Sequence, residues 1–213
     1  MKLAIPETFG VVACLRLVVK AKYCHAYNAA LKEFREKGFR ATNMDALSAR
    51  ASVSKRTVYN HFESKEALFK EIIRQLVEQT AEVMSFSYTP GRSLSSQLME
   101  FATKQLRLFQ TERFLDVSKI MVAECIYSPE LAAQAFQQAS KQEQGLAAWL
   151  QAAILDGRFK QIDPNYAMGQ FLGLLKAHAF WPQLLMAAPL PDPTQCQQLA
   201  EDTVAMFLGF YEI

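Results

Sequence analysis

The sequence predicts an all-α chain, a small three-helix unit at the amino terminus followed by a larger helical body. Three observations carry that prediction. Apolar residues recur with the period of a helix, and strand-like alternation is weak. Capping residues stand at close intervals between residues 42 and 64. Proline is absent from residue 7 to residue 89, so no ring interrupts a helix there.

In AYNAALKEFREKGF, residues 26–39, Ala26, Ala29, Ala30 and Phe34 gather on one face, and Glu33 and Lys37 mark the charged one. Gly38 reads as a carboxy-terminal stop. TNMD at 42–45 reads as a capping box, Thr42 accepting from the backbone three residues on and Asp45 reaching back. A short helix follows, with Met44 and Leu47 inward, and Ala51-Ser52 ends it. Ser54 caps the next helix, whose Val58 and Phe62 lie i,i+4 on one side. Ser64 caps a long helix carrying Leu68, Phe69, Ile72, Ile73 and Leu76.

Such short helices do not persist alone, so Met44, Leu47, Val53, Val58 and Phe62 are expected to pack together against the first helix. Two short helices joined by a tight turn form a helix-turn-helix. Beyond the turn at Tyr88-Thr89-Pro90-Gly91, helices are expected at about 92–110, 113–126, 130–155, 164–187 and 193–211. The expected division is a lead-in of unassigned role at 1–19, a helix-turn-helix domain at 20–68 and the helical body at 69–213.

Composition is that of a globular chain, 51% apolar and 21% charged. A net charge of +2 decides nothing, but its distribution does. Residues 1–75 hold 14 Lys and Arg against 7 Asp and Glu, and residues 76–213 hold 9 against 14. Only the first third is therefore suited to a polyanion. Cys14, Cys24, Cys125 and Cys196 fit no metal or redox spacing and read as reduced thiols of a cytoplasmic protein. VVACLRLVV, residues 11–19, is too short to span a bilayer, and Pro6 and Glu7 interrupt the apolar run that a lipoprotein signal needs before VVAC. No membrane, metal or cofactor is expected.

VSKRTVYNHFESKEALF, residues 53–69, carries the functional signal. With Val58 and Phe62 inward, Lys55, Arg56, Thr57, Tyr59, Asn60 and His61 fall mostly on the outer arc of one helix. The first residues of such a helix reach base edges in the major groove. Lys55 and Arg56 suit guanine, and Asn60 suits adenine. Thr57 and Tyr59 suit phosphate or a thymine methyl, while Thr42, Lys65 and the adjoining helix amino termini suit the backbone on either side. Ser54 caps that helix and joins the candidate set. A solvated charged face is the plainer alternative, disfavoured by the caps, the turn and the charge split.

Residues 26–69 resemble the DNA-binding domain of the TetR/AcrR family of bacterial transcription regulators. The matching pieces are AAL-x-x-F-x-x-x-GF, the T-x-x-D cap, VSK-x-T, Y-x-HF and SKEALF. The resemblance implies a homodimer binding a palindromic double-stranded DNA operator, usually to repress, with a larger helical domain that dimerises and binds a small molecule. By motif position it places DNA contacts on Thr42, Lys55, Thr57, Tyr59, His61 and Lys65. Ser52 stands where the family usually has Gly, Ser48 where it has Ala, Arg56 where Gly is common and Asn60 where Tyr is frequent. The last two changes mean that the operator cannot be borrowed from a relative.

The carboxy-terminal half resembles the AcrR/AefR-like branch through residues 123–136 and 150–164 and the small-residue helix that follows. In that helix Gly169, Gly173 and Ala177 recur every four residues, a flat stripe that permits close helix approach. It serves either packing inside one subunit or a dimer contact, paired with Phe207 and Tyr211 of the last helix. Phe101, Met121, Tyr127, Trp149, His178 and Trp181 are the candidate walls of a pocket for an unidentified apolar or aromatic effector, chosen by composition. An all-helical enzyme is the rival class, but DDxxD, HExxH and GxSxG are all missing, so no catalytic residue is expected. A membrane-surface protein would need a long basic amphipathic helix, which the amino terminus lacks.

Overall fold

The computed structural model describes the backbone of residues 8–83, 86–130, 133 and 145–213, and the side chains of those from 23 on except 79–83. All the named elements are helices: α1 Thr8–Ala41, α2 Met44–Arg50, α3 Lys55–His61, α4 Lys65–Val83, α5 Leu94–Phe109, α6 Glu112–Tyr127, α7 Gly145–Leu155, α8 Pro164–Ala179, α9 Trp181–Met186 and α10 Pro193–Tyr211. The chain forms two compact units, Met1–Ile72 and Ile73–Ile213, with the boundary inside α4 and a turn later than the sequence places it. No helix among the described residues is long and apolar enough to cross a membrane.

In the first unit α1 extends back through the expected lead-in as far as Thr8; residues 1–7 lie outside the described residues. Gly38, at φ 77 and ψ 160, kinks the helix where a stop was expected, and one further turn reaches Ala41. Ala26, Ala29, Ala30 and Phe34 are buried as the periodicity predicts, and so are Leu47 of α2, Val58 of α3 and Phe69 of α4. Phe39 lies between Phe34 and Phe69, its ring centroid 5.3 Å from one and 5.2 Å from the other. Arg50 ties α2 to α1 through hydrogen bonds to Glu33 Oε1 (2.6 Å) and Glu36 Oε1 (3.0 Å).

The capping box at 42–45 is corrected. Asn43 is the N-cap of α2, its Oδ1 accepting from Ala46 N at 2.7 Å. Thr42 is buried, and its hydroxyl donates to the Gly38 carbonyl at 2.9 Å, closing the kink instead of opening α2. Asp45 consequently points outward. The other two caps are as expected: Ser54 Oγ accepts from Thr57 N and Ser64 Oγ from Ala67 N, each at 3.1 Å.

In the second unit α5, α7, α8 and α10 surround an aromatic core containing Phe101, Phe109, Trp149, Phe159, Phe171 and Phe207. Buried Gln97 organises one end. Its Oε1 accepts from the Trp149 indole N–H (3.0 Å) and from Thr89 N (2.9 Å), and its amide donates back to the Thr89 carbonyl (3.2 Å), fastening the 89–93 turn to α5.

The helix expected over 164–187 is two helices. It breaks at Phe180, with φ −138 and ψ −59, because Pro182 has no N–H for the carbonyl of His178 and its ring would collide with it. That carbonyl accepts from the Gln183 side-chain amide at 3.2 Å instead. Of the helix expected at 130–155, α7 is the described part; most of 131–144 lies outside the described residues.

Candidate nucleic-acid interface

α3 presents the expected surface. Val58 is buried beneath it, and Phe62 at its end packs on Tyr23 of α1, with ring centroids 5.1 Å apart. These two anchors fix the rotation of a helix too short to hold itself. Lys55, Arg56, Tyr59 and Asn60 are exposed on the opposite arc, and Thr57 and His61 are half-buried at its edges. Thr57 Oγ1 lies 2.8 Å from Ser54 Oγ, so the cap also orients the threonine. His61 meets the Tyr23 ring edge-on at 6.0 Å.

Three of the candidates sit differently from expectation. Thr42 offers almost no surface, being 2% exposed with its hydroxyl engaged. Lys65 turns inward. Its ammonium donates to the carbonyls of Phe39 (3.1 Å), Arg40 (3.1 Å) and Thr42 (3.3 Å) and lies 4.7 Å from the Phe39 ring centroid. All three of its protons thus satisfy the open end of α1. Lys55 is exposed but paired, its Nζ 2.6 Å from Oδ2 of Asp45 on α2. Asp45, expected as part of a cap, is left for this pair because Asn43 caps α2.

The six candidate effector residues do not meet in one cavity among the described residues. Phe101 and Trp149 are core, Met121 is half-buried, and Tyr127, His178 and Trp181 are exposed. His178 and Trp181 face outward because α8 turns Ala167, Phe171, Leu175 and Ala179 to the core, and the break at Phe180 re-aims the chain after it.

The small-residue stripe is unpartnered among the described residues. Gly169, Gly173 and Ala177 are exposed, and a Cβ added at either glycine would meet nothing within 4 Å. Packing inside the subunit therefore does not account for the two glycines. Between α8 and α10 runs an apolar groove of ≈ 470 Å³ lined by Gln170, Gly173, Leu174, Ala177, Met206 and Phe210, with Phe207 and Tyr211 as its floor. Phe207 and Tyr211 are thus buried, and the outward apolar groups of α10 are Met206 and Phe210, which the sequence reading missed. Their i,i+4 spacing was the available signal. The Tyr211 hydroxyl bonds to Gln170 Oε1 across the groove floor, and burial pushes its phenol up from the ordinary value.

Residues 96–213 match the family model described as the AefR-like transcriptional repressor, C-terminal domain, and residues 26–72 that of the bacterial regulatory proteins of the tetR family. The chain is 43% identical to a TetR family transcriptional regulator from Pseudomonas syringae pv. tomato, covering 89% of this chain and 96% of that one with a TM-score of 0.79. It is 29% identical to the flavonoid-responsive regulator FrrA over 90% of this chain and 97% of that one, with a TM-score of 0.72. It is also 25% identical to the uncharacterized HTH-type transcriptional regulator YhgD of Bacillus subtilis, over 87% of this chain and 91% of the relative. With a helix-turn-helix that exposes the arc of α3 and a matching carboxy-terminal half, the chain belongs to the TetR family of transcription regulators.

Proposed function

We propose that this protein is a repressor that binds a palindromic operator as a homodimer and leaves it when a small apolar or aromatic effector binds the second unit. The observation that carries the reading is the exposed arc of Lys55, Arg56, Tyr59 and Asn60, held on a helix anchored from behind by Val58 and Phe62. Two such helices, one from each protomer, would enter successive major grooves about 34 Å apart. Arg56 and Asn60 would read base edges, and Ser54, Thr57, Tyr59 and His61 would contact the sugar-phosphate backbone. The groove between α8 and α10 supports a two-fold contact, since a flat apolar face flanked by exposed Met206 and Phe210 is self-complementary. FrrA, which is flavonoid-responsive, supports an aromatic effector. α4 begins beside the helix-turn-helix and continues past the unit boundary, which makes it the lever through which an effector would shift the spacing of the two α3 helices.

Fluorescence anisotropy with DNA from upstream of the protein's own gene, at two salt concentrations and against scrambled competitor, tests the reading. Binding that survives competitor and weakens steeply with salt is expected, and a flavonoid or another planar aromatic phenol is expected to release it. If no genomic fragment binds, with or without such ligands, the regulator reading fails. Unchanged operator affinity across the ligand panel would remove the aromatic effector from it.

A further inference from the structure

Asp45 makes no cap, since Asn43 does that for α2, and its carboxylate instead reaches the first residue of α3. Oδ2 lies 2.6 Å from Lys55 Nζ, with the two side chains 59% and 63% exposed. The pair therefore sits on the open surface beside the arc that faces DNA and lends little to the core. A carboxylate in that position is an internal stand-in for a phosphate oxygen, and any complex that uses Lys55 must break the pair first.

We propose that Asp45 is a brake on DNA affinity: it keeps Lys55 occupied on non-cognate DNA, and at the operator it takes back part of what Lys55 contributes. The proposal rests on α3 being the DNA-facing helix. An exposed ion pair shifts an equilibrium by about two- to fivefold. A non-cognate duplex offers Lys55 only a phosphate, an acceptor no better than the carboxylate it already holds. A guanine edge in register offers O6 and N7 together, worth about five- to a hundredfold, and that is enough to draw the ammonium away. The brake thus weakens binding at every site: the operator complex loses what it takes to break the pair, and a non-cognate complex forgoes one phosphate contact. Lys55 alone, without Asp45, would add one indiscriminate phosphate contact.

The full-length protein is titrated into a short mixed-sequence duplex across a salt series, as wild type, D45N, D45S, K55Q and D45N/K55Q, with circular dichroism confirming unchanged helix content. D45N and D45S are expected to tighten non-cognate binding about two- to fivefold and to steepen the logarithmic salt dependence by about 0.9, one phosphate's worth. The gain is expected to vanish in the K55Q background. A gain that persists in D45N/K55Q would overturn the proposal, because Asp45 would then act through its own repulsion of phosphate. Unchanged affinity and slope in both Asp45 variants would overturn it as well. Wild-type protein that binds no duplex even at the lowest salt would sink the DNA-facing reading of α3, and this inference with it.

Discussion

Ser52 stands at φ 54 in the turn between α2 and α3, a left-handed conformation that costs a residue with a Cβ on the order of 1 kcal/mol. Ser52→Gly is therefore expected to raise unfolding stability by about 0.5–1 kcal/mol in urea melts, with no loss of DNA affinity. The sequence pointed to this position only through the family pattern, since nothing in Ala51-Ser52-Val53 itself demands a left-handed turn. Glu33 poses a second question of single-residue energetics. It is buried on α1, and its carboxyl is held below the ordinary 4.5 first by the hydrogen bond from Lys37, with Arg50 adding to it and burial opposing. A carboxyl whose folded value is depressed stabilises the fold above its unfolded value and loses that contribution as pH falls through the folded one. Glu33→Gln is expected to lower the melting temperature at neutral pH and to flatten its fall below pH 4.5. A parallel acid limb in wild type and variant would show that the network adds nothing. Thr42 and Asn43 mark the limit of reading residue by residue. Both are capping types, and the choice between them depends on where the kink at Gly38 lets α1 end, which no local pattern states.

Several helices were legible because they are bounded by chemistry the sequence displays: Ser54 and Ser64 as caps, Asp163-Pro164 and Asp192-Pro193 as starts. The break at Phe180 was written in Pro182, but the apolar run on both sides hid it. What one helix does to another was less visible, and Lys65 is the case in point. Its place in the SKEALF motif implies a phosphate contact, yet in the fold it fastens the start of α4 to the carbonyl end of α1 through three backbone acceptors. Charge alone could not separate those roles, because both are met by an ammonium near a helix terminus. They separate by measurement. Lys65→Met is expected to reduce stability by about 1–3 kcal/mol, the worth of hydrogen bonds from a charged donor, while the salt dependence of DNA binding keeps its slope. A slope shallower by about 0.9 would return Lys65 to the phosphate contacts.

For the molecule as a whole, the groove between α8 and α10 leaves an apolar surface with Met206 and Phe210 exposed. Phe101 and Trp149 were chosen as pocket walls and proved to be core, and His178 and Trp181 proved to be surface, because burial on a helix depends on which face its neighbours cover. For α8 the covered face is Ala167, Phe171, Leu175 and Ala179, and the opposite face carries Gly169, Gly173 and Ala177. Glycine inside a helix is worse than alanine by roughly 0.5–1 kcal/mol, and here two glycines occur where a Cβ would touch nothing within 4 Å. The isolated subunit would gain by losing them. In the proposed two-fold contact a second copy laid across the stripe would reverse that balance, since only hydrogen at those positions would let two helix backbones approach closely enough to bury Met206 and Phe210 between them. Gly173→Ala and Gly173→Leu therefore make opposing predictions at two levels. Each is expected to leave the melting temperature of dilute protein unchanged or raised by a few degrees. Gly173→Leu is expected to weaken self-association at least about tenfold in sedimentation equilibrium, the effect of roughly 1.4 kcal/mol lost from a packed interface. Operator binding should weaken with it, because each half-site would then be held by one α3 alone. A leucine variant that associates as tightly as wild type would show that the protomers meet elsewhere, and the two glycines would need another explanation.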